Sequence, residues 1–271
     1  MLPLVTMVPI SYLADWRLCD DEFMAAFALS GPVARLDVLH RMFPLPRESR
    51  ILFFPDTHTY MMDGVIVPRS VTGLVHEYQT SLFDAHSAIN FMKQGRNLHL
   101  KRLDFINDCG QEMSNPEICA LWQSRANVAS ARGVLLHYHA EAVLNGLCIE
   151  EPHSPELQKC LMIVSTLSEL GWQPFRTEVC LAHIGLCVCG QPDALFRNDA
   201  GEHAIVDWKR CKDVTFENSF RTLKEPLDHL AECNGNLYAL QLNMYRFYAF
   251  ACINLNIVFQ YLCCIEVYTR E

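Results

Sequence analysis

Leu186-Cys187-Val188-Cys189-Gly190-Gln191-Pro192-Asp193-Ala194-Leu195-Phe196, the turn Asn198-Asp199-Ala200-Gly201-Glu202, and Ala204-Ile205-Val206-Asp207-Trp208-Lys209 together decide the fold. Two β-rich runs joined by a glycine-containing polar turn predict a hairpin. The first run reads as one strand, bent at its glycine and proline. Side chains alternate along a strand, so Asp207 and Lys209 share one face while Val206 and Trp208 take the other. Both aspartates follow apolar runs, which carries them to the rim of a buried sheet. Charges are rarely placed there without a partner or a metal. Hard oxygen ligands beside an ammonium suit a divalent cation and chemistry on a phosphoryl group.

Outward from the hairpin lie further pieces: His137 in Ala131-Arg132-Gly133-Val134-Leu135-Leu136-His137, Glu178 in Phe175-Arg176-Thr177-Glu178-Val179, and Gln241-Leu242-Asn243-Met244-Tyr245. Taken singly, each has an ordinary reading. His137 is then a satisfied core histidine, Glu178 a solvated strand residue, Gln241 and Tyr245 an i,i+4 packing pair, and Asp207 with Lys209 a same-face ion pair. Taken together and in this order, they resemble the PD-(D/E)xK nuclease superfamily, in its RecB-like and lambda-exonuclease-like branch. The resemblance spans roughly residues 51–271. It implies an α/β (α+β) fold with a restriction-endonuclease-like core, a mixed central β-sheet flanked by helices and a helical insertion before the active-site strands.

The resemblance also implies roles. Asp193 matches the "PD" aspartate, Asp207 the second acidic ligand and Lys209 the family lysine, which positions the attacking water. Glu178 and His137 complete the metal site, with the backbone carbonyl of Trp208 as a further ligand. Gln241, Tyr245 and Arg132 are the expected substrate contacts, Tyr245 by stacking on a base. Mg²⁺ or Mn²⁺, as one or two ions, is the expected cofactor, since the donors are mostly oxygens. The expected activity is DNA phosphodiester hydrolysis, as an exonuclease leaving 5′-phosphate ends, in replication, repair or recombination. The alternative is a nuclease-fold module without activity that binds DNA or serves assembly. DNA ends or single-stranded regions are the expected partner. A ring-forming homo-oligomer or a partner protein is compatible with the resemblance, although no residue pattern speaks for either.

Composition bounds these readings. With 271 residues, 51% hydrophobic and 20% charged, the chain can bury a proper core. A net charge of −9 is unlike a non-specific nucleic-acid binder. Basic residues do gather locally, at Arg96, Lys101, Arg102, Arg125 and Arg132, and again at Lys209, Arg210 and Lys212. The apolar stretch Phe247 to Cys264 is interrupted by Asn254, Asn256 and Gln260, so no membrane helix is expected. The 13 cysteines, without a basic leader, fit reduced thiols in an intracellular protein. Cys187 and Cys189, alternating on one strand near His183, make a weak zinc pattern. The spacing of Cys252, Cys263 and Cys264 does not match the family's iron–sulfur arrangement, so packed thiols are expected.

Residues 1–48 read as a separate N-terminal helical extension, with helices at Asp20 to Leu29 and Val33 to Met42 and a linker at Phe43-Pro44-Leu45-Pro46. The nuclease domain is expected over 49–271, with a helical region at about 70–170 and a catalytic core from about 172. Strands are expected at 51–54, 59–62 and 65–67 around an Asp63-Gly64 turn, followed by a helix capped by Ser70. The layout His58-x-Tyr60, Gly64, Ser70-Val71-Thr72 resembles the entry to RecB-like domains. Further helices are expected at Asp84–Gln94, Glu117–Asn145, Pro155–Leu170 and Leu237–Ala251. Gly133 is read as clearing space where substrate or metal approaches. Glu141 is either an orienter of His137 or a surface carboxylate.

Overall fold

The computed structural model describes residues 18–29, 36–45, 48–54, 57, 59–80, 83–94, 105–107, 109–149 and 153–266. These fall into two compact units, one within Met1–Thr80 and Gly133–Glu271, the other within Ser81–Arg132. His58, Arg96, Lys101 and Arg102 lie outside the described residues.

The first unit is mixed α/β. After the helices α1 (Asp20–Leu29) and α2 (Val38–Met42) come three antiparallel strands, β1 (Ile51–Phe54), β2 (Thr59–Met62) and β3 (Val65–Val67). The β2–β3 turn is made by Asp63 and Gly64, both at positive φ (53° and 80°), as a tight two-residue hairpin demands. The short β4 (Arg69–Ser70) leads into α3 (Val71–Glu77), whose first turn is capped by Ser70 Oγ accepting from Gly73 N at 2.9 Å.

In the second unit, α4 (Ala85–Gln94) and the beginning of α5 (Asn115–Leu144) enclose a small core of Ile89, Phe105 and Ile118. Residues 81–132 of the expected helical region form this second unit, while the end of α5 and α6 (Pro155–Glu169) pack on the central sheet.

That sheet has the order β10-β9-β8-β5, with β5 (Gln173–Thr177), β8 (Ala194–Arg197), β9 (His203–Cys211) and β10 (Ile257–Glu266). Pairing is antiparallel at β5–β8 and β8–β9 and parallel at β9–β10, so the sheet is mixed. Alternation along β9 divides its side chains. Ala204, Val206 and Trp208 join Leu136, Ala140, Leu157, Cys160 and Leu167 of α5 and α6 in one core. Ile205 joins Leu242, Tyr245, Tyr248 and Ala249 of α7 (Asn234–Ile253) in the other. Burial of apolar surface on both faces is worth about 25 cal/mol per Å².

The expected single strand 186–196 is two. A 3₁₀ turn at Ile184–Leu186 ends with Cys187 in the left-handed region (φ 53°), and only Val188–Gly190 continue as β7. β7 pairs with β6 (Leu181–His183) and β4 in a separate sheet, ordered β4-β7-β6. The chain then crosses to the central sheet through Gln191-Pro192-Asp193.

Described residues of the N-terminal segment pack against the rest of the first unit. Leu39 packs into the core beneath α5, and Phe43 lies 4.9 Å from Phe175 of β5. The buried Arg176 guanidinium donates to Phe43 O (2.7 Å) and His40 Nδ1 (2.7 Å) and pairs with Glu48. The expected linker thus forms part of the wall beside β5.

Candidate metal centre

The β8–β9 hairpin opens at the site. Ala194 pairs with Val206, so Asp193 and Asp207 are the next residues beyond the last pair of the two strands. The turn is closed by Gly201 N donating to Asn198 O (3.0 Å), with Gly201 at φ +78°.

Asp193 is fixed from two sides. Its Oδ2 accepts from Trp208 N at 2.6 Å, and its Oδ1 lies 3.3 Å from His137 Nδ1, brought in by α5. Glu178 follows β5 in a left-handed conformation (φ 48°), which a non-glycine residue adopts at a cost of roughly 1–2 kcal/mol. Two backbone bonds hold it there: Glu178 N donates to Asp193 O (3.1 Å), and Gln191 Nε2 donates to Glu178 O (3.2 Å). Gln191 is itself anchored by Tyr60 Oη, which donates to its Oε1 at 2.6 Å. As a result, ligand atoms of His137, Glu178 and Asp193 all lie within 4.8 Å of one another.

Asp207 and Lys209 emerge from the same face of β9 and form an ion pair, as alternation predicts. Asp207 is almost fully buried: the Lys209 ammonium meets its Oδ2, while its Oδ1 has no hydrogen-bond partner among the described residues. A buried group with only acceptors calls for a cation. The three clustered ligand atoms and this under-satisfied carboxylate therefore fit a divalent ion. Lys209 Nζ also sits 5.6 Å from the centre of the Tyr238 ring on α7.

The electrostatics follow from this crowding. Burial pulls the His137 imidazolium down, but the Asp193 carboxylate more than offsets it and lifts the group to about 9. Burial likewise raises Asp193, and His137, Lys209 and the Trp208 N–H outweigh it to hold the carboxyl below its ordinary value. Asp207 is pushed up to about 6, by burial first and then by the Asp193 charge, against the pull of Lys209. Lys209 is raised: burial lowers it, and Asp207 and Asp193 prevail. The ammonium thus remains charged at neutral pH, where His137 holds a proton that a cation can displace, and Asp207 holds one only below about pH 6.

Gln241 and Tyr245 are brought to the inner wall rather than to the surface. Gln241 Nε2 donates to Tyr245 Oη at 3.0 Å and reaches Thr72 Oγ1 at 3.4 Å. The Tyr245 ring is 3% exposed and offers no face to a base, which corrects the stacking role expected for it. Gly190 owes its glycine to this ring, not to a bend. A Cβ there would stand 2.7 Å from Tyr245 Cε1 and 3.0 Å from Val71 Cγ2. Arg132 is the last residue of the second unit. At Gly133 a Cβ would meet nothing within 4 Å outside its own helix. The Glu141 carboxylate lies 3.4 Å from Leu36 N and accepts from that amide.

The proposed zinc pattern is undone by the turn at Cys187. Cys187 Sγ donates to Ile184 O (3.2 Å) and Cys189 Sγ to Arg69 O (3.2 Å), so the thiols serve different elements, and His183 Nδ1 caps Leu186 N. Cys252 and Cys263 lie in the two separate cores.

Sequence reasoning missed Gln191, Tyr60 and Thr72 as supports of the site. The one local signal was the position of Gln191 immediately before Pro192-Asp193. Among the described residues, no helix is long and apolar enough to cross a membrane. No protein-family model matches the chain, and no curated protein matches it.

Proposed function

We propose that the chain is a Mg²⁺- or Mn²⁺-dependent deoxyribonuclease of the PD-(D/E)xK kind, hydrolysing phosphodiesters to leave 5′-phosphate ends. The observation that carries this reading is the gathering of His137, Glu178 and Asp193 within 4.8 Å at the hairpin mouth, beside the buried Asp207–Lys209 pair. Support also comes from the mixed sheet with helices packed on both faces, which is compatible with the core that the resemblance implies. A divalent cation held there supplies Lewis acidity towards the phosphoryl group and a more acidic water. Asp193, Glu178 and His137 would hold it, with the Asp207 carboxylate beside them. Lys209, kept charged by both aspartates, orients the attacking water and offsets developing negative charge instead of accepting a proton.

The test incubates the pure chain with end-labelled single-stranded, linear duplex and closed circular DNA, in Mg²⁺, Mn²⁺ or EDTA, beside Lys209→Ala. Metal-dependent loss of linear DNA that is absent in the variant is the expected result. Cleavage that persists in EDTA or in folded Lys209→Ala, or no cleavage under any metal, would overturn the reading.

A further inference from the structure

The left-handed conformation of Glu178 is one that glycine takes freely and a residue with a side chain takes at a cost. Glycine would bring no carboxylate, so conformation and carboxylate are kept together here by bonds from distant parts of the first unit. His40 Nε2 donates to Thr177 O (2.8 Å), Asn145 Nδ2 donates to Thr177 Oγ1 (3.1 Å), and Cys180 N donates to Glu48 Oε1 (3.3 Å). These three fix the flanks. The carbonyl of Glu178 itself accepts from Gln191 Nε2 at 3.2 Å.

That bond depends on which way the Gln191 amide faces. A carbonyl can only accept, so Glu178 O requires the NH₂ end, and the oxygen end is answered by the Tyr60 hydroxyl at 2.6 Å. Tyr60 is buried, its ring packs on Phe53 of β1 with centroids 4.6 Å apart, and it shares a small core with Ile51, Met62 and Val67 of β1–β3 and with Cys180, Ala182 and Cys189. Packing alone asks for no hydroxyl there, since a phenylalanine would fill the same space. The oxygen has its use in Gln191, and through Gln191 in Glu178.

We infer, resting on the cation site of the function proposed above, that Tyr60 and Gln191 are positioning residues that preset Glu178 for the metal, so that the sheet β1–β3 governs how tightly the centre binds it. Without the hydroxyl the amide is free to turn, the Gln191 bond is lost and Glu178 relaxes from its costly conformation. A cation then has to restore that conformation on binding, which lowers the apparent affinity by the fraction of molecules still preset. Groups that hold metal ligands in place typically contribute about ten- to hundred-fold in affinity.

Mn²⁺ is titrated by calorimetry into the full chain, Tyr60→Phe, Gln191→Met, the double variant of these two, and Phe53→Leu. Tyr60→Phe and Gln191→Met are each expected to bind Mn²⁺ about ten-fold more weakly. The double variant should lose no more than Gln191→Met alone, because the two residues act in series. Phe53→Leu loosens the packing around Tyr60 but keeps the hydroxyl, and its affinity should equal wild type. Unchanged affinity in Tyr60→Phe, an additive loss in the double variant, or an equal loss in Phe53→Leu would overturn the inference. Parallel Mn²⁺ cleavage assays keep the two readings apart. Cleavage by a wild type whose Mn²⁺ affinity is indifferent to Tyr60→Phe sinks the positioning role alone, and the expected affinity losses without any cleavage sink the nuclease alone. A wild-type chain that binds no Mn²⁺ overturns both.

Discussion

Gly190 and Tyr245 approach so closely that a single methyl group on the glycine would stand 2.7 Å from Tyr245 Cε1. Neither the ring nor Val71 behind it has room to retreat, since both are core residues of the α7 side. Gly190→Ala is therefore expected to destabilise the fold by about 1–3 kcal/mol, and to move the Tyr245 hydroxyl away from Gln241. Urea denaturation checks it; an unchanged midpoint and slope would show that the contact is slack.

Asp207 carries a pH signature. Its folded value is raised to about 6, above the ordinary carboxylate value, so ionisation of the native group opposes folding. Its favourable contribution is complete below the ordinary value and is lost as pH rises through about 6. Asp207→Asn is thus expected to make the metal-free protein more stable at pH 8, by no more than about 3 kcal/mol, and to lose that advantage below pH 5. Melting temperatures of both proteins across pH 5–8 provide the measurement. A variant less stable at pH 8 than at pH 5, relative to wild type, refutes the assignment.

Metal affinity should show the same groups from the other side. A cation bound at this centre displaces the proton held by His137 below about 9, and below about 6 that of Asp207 as well. Mn²⁺ binding is expected to tighten about ten-fold per pH unit from 6 to 8 and to fall more steeply with acid below 6. Calorimetry in buffers of different ionisation enthalpy counts the protons released. In His137→Ala the slope between 6 and 8 should flatten; if it does not, His137 is not the group displaced.

Arg176 is a buried cation whose carboxylate partner, Glu48, comes from the N-terminal segment. Removing the partner strands the charge. Glu48→Ala is expected to cost roughly 3–5 kcal/mol, whereas surface pairs such as Arg41–Asp37 contribute at most about 1 kcal/mol. Chemical denaturation of Glu48→Ala beside Asp37→Ala makes the comparison, and equal losses would mean that Glu48 is not what compensates Arg176.

The hairpin is legible in the sequence because its signals are local. The turn residues Asn198 and Gly201, and the alternation that puts Asp207 with Lys209 and Val206 with Trp208, depend on neighbours within a few positions. The division of 186–196 is not legible, because Val188 and Cys189 are as apolar as any strand of the central sheet. Pairing with Ala182 and His183, and with Arg69 and Ser70 far back in the chain, assigns them elsewhere. Two prolines make Phe43 to Pro46 look like a linker, yet Phe43 finds Phe175 and Arg176 some 130 residues away. Tyr245 misleads in a similar way: a tyrosine one turn after a glutamine reads alike whether its ring faces water or Gly190.

The parallel pairing of β9 with β10 has a consequence for how the protein is made. The strand bearing Asp207 and Lys209 has β8 on one edge, synthesised just before it, and on the other edge residues 257–266, which leave the ribosome some fifty residues later. Parallel neighbours so separated in sequence form late. A nascent chain holds its acidic residues on an unfinished sheet, so the centre has both edges of its strand supported only after the helix and strand that follow it have been translated.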